Sequence, residues 1–279
     1  MTKTLTKFFA LAFATLAVAV CANAQTTNLS KRTTFKSEKL DFGAGGTLTV
    51  LGAPNGSISI EGTNKNEIEI SADIEVQAEN EADLAELSKI SGFVLDESTG
   101  HVRVLSVGTH DKDYLKRAAK KFPKRLLNLP FKIDYRIKVP AYCDLEINSG
   151  KGDLTISAVE GAIQINALES KAILNLIGGT IDATFGSGDV DVKIGTRNWR
   201  GRHVNFQVAS GNLNARFPAN MSADIDASIL RNGKVENSFN SLKPRERSKF
   251  SDRQILARAG NGGAQFSFTV GDGTIKIQN

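Results

Sequence analysis

Cysteine is almost absent from this chain. Of the two in the sequence, Cys21 lies in an apolar leader and Cys143 stands alone beyond it. An intramolecular disulfide in the mature chain is therefore excluded, and Cys143 reads as a half-buried residue beginning a strand. Aromatic residues make up only 7 % of the chain, against 25 glycines. That balance fits small β-branched interiors with tight turns better than a large aromatic core. The three histidines, His101, His110 and His203, are far apart, with no HExxH or CxxC pattern beside them, so no metal site can be built from the sequence. GxSxG, P-loop and Ser/His/Asp patterns are missing too, and nothing calls for a cofactor. The formal net charge is +5, and it falls to +3 without Lys3 and Lys7. So mild an excess does not argue for nucleic acid. Beyond residue 24 no run is long and apolar enough for a transmembrane helix.

What is present begins with an export signal. Lys3 and Lys7 precede an apolar run, Phe8 to Val20, and Ala22-Asn23-Ala24 fits the small-x-small rule for cleavage. Residues 1–24 are therefore expected to be a signal peptide, with Gln25 first in the mature chain. Lipoprotein processing at Cys21 would want a small residue before it, where Val20 stands. The expected destination is the periplasm or the cell surface. Roughly 255 residues remain, enough for a substantial core without staples.

Residues 25–45 read as a polar leader and 46–140 as an N-terminal β-rich part with helical insertions. Glu67 to Val76 alternates strictly, with Ile68, Ile70, Ala72, Ile74 and Val76 on one side and acids on the other, as a half-buried strand requires. Asn80 to Ile90 switches to helical spacing behind Asn80 as N-cap. Phe93–Leu95 and His101–Val107 form a hairpin pattern. A basic stretch follows: Lys112, Lys116, Arg117, Lys120, Lys121, Lys124 and Arg125, with Tyr114, Ala118 and Phe122 every four residues. It predicts an amphipathic helix ended by Pro123. Ile133, Tyr135, Ile137 and Val139 then alternate into Pro140.

From residue 141 to 279 a unit repeats: Lys151-Gly-Asp-Leu-Thr-Ile156, Lys171-Ala-Ile-Leu-Asn-Leu176, Ser187-Gly-Asp-Val-Asp-Val192, Ser210-Gly-Asn-Leu-Asn-Ala215, Asn232-Gly-Lys-Val-Glu-Asn237 and Asp272-Gly-Thr-Ile-Lys-Ile277. Taking Leu154, Leu174, Val190, Leu213, Val235 and Ile275 as equivalent gives spacings of 20, 16, 23, 22 and 40 residues. A turn-plus-strand unit of about 20 residues is the signature of stacked coils. A weaker series, Ile163, Ile181, Phe206, Ile225 and Phe266, supplies a second strand per coil. The fold expected is all-β, a stacked solenoid resembling a parallel β-helix, with a smaller N-terminal β part carrying one or two short helices. The long last gap holds a polar, basic insertion, residues 240–263, read as a projecting loop. The final strand, Thr274–Gln278, would then need an edge cover.

Ser149-Gly150, Ser187-Gly-Asp-Val190 and Ser210-Gly-Asn-Leu213 resemble the sGdl-x-v repeats of an adhesin-like family of bacterial envelope proteins. The strand ending at Pro140 is similar to the one that precedes that family's repeats. The resemblance covers about residues 40–279 and implies an exported β-solenoid protein; it brings no functional residues with it.

Among candidate chemistries are the carboxylates along the coil, Asp153, Asp182, Asp189, Asp191, Asp224 and Asp226; Asp153 and Asp189 occupy matching places and could stack about 5 Å apart if their coils were neighbours, which would suit acid/base work on a polysaccharide. Turn formation beside glycine explains them better. A glycine-aspartate calcium site would need nine-residue repeats, which are not there. The leading surface candidates are the basic interruptions: Lys112, Lys116, Arg117, Lys120, Lys121 and Arg125; Arg197, Trp199, Arg200 and Arg202; and Arg245 and Arg247. If gathered on one side they would meet an anionic glycan, a lipid headgroup or an acidic envelope protein; if not, they are separate solvated loops. Trp199 could stack on a sugar, although packing on the coil is the more ordinary role. The expectation is a non-enzymatic binding or scaffold module, with a polysaccharide-active β-helix enzyme as the alternative.

Overall fold

The structure, a computed structural model, describes residues 29–118, 122–245 and 249–279. The expected signal peptide, Lys120, Lys121 and Arg247 lie outside the described residues. The strands and helices in chain order are β1 (Ser30–Asp41), β2 (Thr47–Leu51), β3 (Ile58–Thr63), β4 (Glu67–Ala78), α1 (Glu81–Ile90), β5 (Gly92–Ser98), β6 (His101–Val107), α2 (Lys112–Ala118), β7 (Phe131–Pro140), β8 (Asp144–Lys151), β9 (Leu154–Ser157), β10 (Ala162–Glu169), β11 (Ala172–Leu176), β12 (Thr180–Ser187), β13 (Val190–Ile194), β14 (His203–Ser210), β15 (Leu213–Arg216), β16 (Ala223–Asn237), β17 (Lys243–Pro244), β18 (Gln254–Ala259) and β19 (Ala264–Gln278).

Each rung of the solenoid is a pair of strands, joined at a sharp corner except in β6–β7, where residues 108–130 intervene. The first strands, β6, β2, β8, β10, β12, β14, β19 and β16 in that spatial order, form one parallel face. Their partners β7, β3, β9, β11, β13 and β15, followed by the second halves of β19 and β16, form the other. Alternation decides which side chains point inward. Leu48, Leu145, Ile163, Ile181, Val204, Phe266 and Ile225 stack in register and are almost completely buried. One rung could not bury its apolar side alone; stacking gives a continuous core.

The register corrects the repeat. Leu154 pairs with Ala172, and Ala172 with Val190, so these three are evenly spaced and Leu174 belongs one inward position further on. The corner explains the misreading. Gly56, Gly152, Gly188, Gly211, Gly273 and Gly233 all have positive φ, between 121° and 145°. A Cβ on Gly211 would lie 1.9 Å from the carbonyl oxygen of Gly188, so only glycine fits. In the rung of β10 and β11 the equivalent residue is Ser170, whose Oγ donates to the Gly152 carbonyl at 2.7 Å. Without the glycine, the local sequence pattern of that rung runs two residues out of register with its neighbours. The same register puts Lys171 between Asp153 and Asp189, so those two carboxylates stand two rungs apart, roughly 10 Å, and do not form a pair.

Two segments, β2–β3 and β19, enter the stack out of chain order. The rung β2–β3 sits between β6–β7 and β8–β9. The stretch expected as a polar leader is largely β1, antiparallel to β4 over its whole length. None of its residues is buried, so it lacked the apolar alternation that marks a strand. The stack also runs through the expected boundary at residue 140. At the far end, the last strand is not an edge. β19 lies inside the stack, and β16 is the outer rung. Part of the insertion expected as a projecting loop, β18, pairs antiparallel with β16 and buries Ile255, Ala257 and Ala259.

Candidate functional site

The basic interruptions fall at separate places along the stack. Lys112, Lys116 and Arg117 are exposed on α2, between β6 and β7 at one end. Lys116 pairs with Asp113 at 2.9 Å. Arg125 reaches back to Asp83 in α1. Arg245 lies at the opposite end, only 17 % exposed, donating to both Asp226 oxygens at 2.8 and 3.0 Å. It helps hold the β17–β18 cover on β16. The basic residues of α2 and Arg125 therefore lie at the other end of the stack from Arg245 and do not join it in one patch.

The middle segment, residues 197–202, turns from β13 to β14. Arg197 and Arg202 are exposed, and Arg200 pairs with Glu160 at 2.8 Å. Trp199 is half-buried. Its indole N–H donates to the Gly179 carbonyl at 3.0 Å, and its ring meets Phe266 edge-on with centroids 5.4 Å apart. It packs on the coil, the more ordinary of its two roles.

The outer side of the first face is an ordered polar surface. Thr49, Glu146, Gln164, Asp182, Asn205, Ser267 and Asp226 form one outward row across successive rungs. Leu51, Asn148, Asn166, Thr184, Gln207, Thr269 and Ser228 form the next. Side chains bond from rung to rung: Asn166 to Asn148 at 3.2 Å, Asn205 to Asp182 at 3.4 Å and His203 to Asp182 at 2.9 Å. Thr49 donates to Glu146 at 2.7 Å and contacts His101 Nε2 at 2.8 Å. Since the carboxylate only accepts, the single hydroxyl proton goes to Glu146, and His101 Nε2 must be the donor to Thr49.

Where Ala162 replaces a longer side chain, this face dips into a depression of about 350 Å³, lined by Thr47, Asp144, Glu146, Ala162, Gln164, Thr180 and Asp182. The depression can accept hydroxyl or amine hydrogens and offers donors from Gln164 and the threonines. Among the described residues no group of three or more His, Cys, Asp or Glu side chains could hold a metal ion. Sequence reasoning reached Asp182 and Asp226 of this face only as scattered coil carboxylates; the parallel register is what lines them up with Thr49, Glu146, Gln164 and Asn205.

On the second face the polar residues beside the corner glycines bond the neighbouring rung. Asp189 accepts from the backbone N–H and Nδ2 of Asn212 at 3.2 and 2.9 Å, and Asn212 Oδ1 accepts from Thr274 N at 3.2 Å. The turn role expected of Asp189 is in fact a clamp between turns.

Residues 54–278 match the Toastrack DUF4097 family. No curated protein matches the chain. A crystal structure of a candidate cell adhesion protein from Clostridium sporogenes is similar at 14 % identity and a TM-score of 0.47, covering 88 % of this chain and 99 % of that one. A candidate adhesin from Bacteroides fragilis is similar at 12 % identity and a TM-score of 0.32, covering 88 % and 97 %.

Proposed function

This chain belongs to the Toastrack DUF4097 family, and we propose that it is an exported, non-enzymatic envelope or surface module that binds through the outer side of its first face. One observation carries the reading: the outward polar rows are in register over successive rungs and tied together by side-chain hydrogen bonds. A face built this way is pre-ordered, so little rotamer entropy is lost when an extended partner settles on it. The leader of residues 1–24 supports export. Among the described residues no helix is long and apolar enough to cross a membrane.

The partner is a hydroxyl-rich glycan or the polar surface of an envelope protein. Asp144, Glu146 and Asp182 repel polyanions at this face, which disfavours the anionic glycan or lipid headgroup suggested by the basic segments. The test is binding of the mature chain to a panel of envelope glycans and envelope proteins, with Ala162→Trp filling the depression. The expected result is retention of one partner by the native chain and its loss from A162W at unchanged thermal stability. Equal binding by both chains, or release of new reducing ends from a bound polysaccharide, would overturn the reading.

A further inference from the structure

After β15 the next level of the stack would naturally be filled by β16. Instead, residues 217–222 carry the chain past that level, and β16 is laid down one rung further on. The chain then returns as β18 along the outer edge of β16. It crosses the end of β16 through Gly260-Asn-Gly-Gly263, where all three glycines have positive φ. Only the final strand fills the level left between β15 and β16. The slot is thus formed by β14, β15 and β16, and β19 occupies it out of chain order.

The slot fits that strand closely. Phe266 lies between Val204 and Ile225, Phe268 between Phe206 and Ala227, and Ile275 between Leu213 and Val235. Phe266, Phe268, Val270, Ile275 and Ile277 are fully buried. The buried apolar side chains of β2, β3 and β8 to β11 are all aliphatic, whereas here the aromatics concentrate. Phe266 and Phe268 contact Phe217 at 5.3 and 6.1 Å between ring centroids, and Phe268 stacks on Phe206 at 6.1 Å. Along both sides the backbone of β19 is paired in parallel, which is how strand addition binds a peptide. A tight strand slot, an occupant laid down out of chain order and a glycine-rich hinge are together the elements of strand exchange.

We propose that β19 is a separable closing strand and that its slot takes the same strand in trans, so that two copies of the chain can join by exchanging Ala264–Gln278. The slot selects an extended peptide with two phenylalanines entering the core before a glycine corner, at Gly273.

Two measurements on the full chain test this. First, a site-specific protease sequence inserted after Asn261 is cut in the folded protein, and excess dye-labelled peptide 264–279 is added. The nicked protein should stay together on gel filtration and take up the labelled peptide, while a peptide with Phe266→Asp and Phe268→Asp should not enter. Unfolding on cleavage, or a folded nicked protein that takes up no label, overturns the proposal. Second, uncut chains carrying two different tags after Asn279 are warmed together and purified through one tag. Recovery of the second tag is expected; its absence overturns exchange between copies even where the peptide enters.

Discussion

The corner glycines allow a prediction that separates backbone strain from collision. Gly211 has φ +140°, and a Cβ there would lie 1.9 Å from the oxygen and 2.7 Å from the carbon of the Gly188 carbonyl. Gly100 has φ +72° with nothing within 4 Å of its would-be Cβ. Gly43 has an ordinary φ and open space. Alanine at Gly43 should change stability by less than about 0.5 kcal/mol. Alanine at Gly100 adds only the cost of a left-handed residue, about 1 kcal/mol. At Gly211 the same strain is joined by a collision with backbone that cannot rotate away, and the neighbouring rung must shift. Overpacking of this kind costs about 1–3 kcal/mol, so the total is about 3 kcal/mol. For a chain of this size that is a fall in Tm of about 6–12 °C. Urea unfolding and calorimetry of the three variants would measure it. If Gly211→Ala is no worse than Gly100→Ala, the column of touching corners does not exist.

Three other outcomes follow from the same structure. Trp199→Ala should lower stability by about 2–3 kcal/mol through loss of the Phe266 contact and the hydrogen bond to Gly179, while Arg197→Ala, at an exposed position, should leave unfolding nearly unchanged; equal effects would contradict a packed indole. Lys39 and Lys65 hold the Glu67 carboxyl down at about 2; because the folded pKa is depressed, the pair stabilises the fold above the ordinary carboxylate range and that contribution is lost as pH falls through about 2. A proton titration followed by NMR should show Glu67 returning toward 4.5 in the double variant Lys39→Met, Lys65→Met. Burial pushes the Cys143 thiol up to about 12, so it should resist a thiol reagent at pH 8 in the native chain and react on unfolding; rapid native labelling would mean the base of β8 is open.

Strands whose two sides differ in polarity were legible in the sequence, and so was the capped helix. Ile68 to Val76 and Ile133 to Val139 are buried as their alternation requires, and Asn80 Oδ1 accepts from Asp83 N at 2.9 Å. β1 was not legible, because a strand with no fully buried side carries no alternation of apolar residues. Ser170 concealed a corner that glycine marks elsewhere. The place of β19 was beyond local pattern: Phe266 and Ile275 announce inward positions, but nothing near them says which strands lie on either side. The same is true of the candidate site. Thr49, Glu146, Gln164 and Asp182 come from separate rungs and become neighbours only through the parallel register.

The order of rungs is the claim on which the slot and the outer face both depend, and a pair of engineered disulfides tests it directly. Gln207 pairs with Thr269, and Thr269 with Ser228. The pair Gln207→Cys, Thr269→Cys therefore places its Cα atoms about 5 Å apart, within disulfide reach, whereas Gln207→Cys, Ser228→Cys places them two rungs apart, roughly 10 Å, beyond it. Under mild oxidation the first variant should form an intramolecular bond in high yield and the second should not. A bond between positions 207 and 228 with none between 207 and 269 would mean that the rungs follow chain order and that the final strand lies elsewhere.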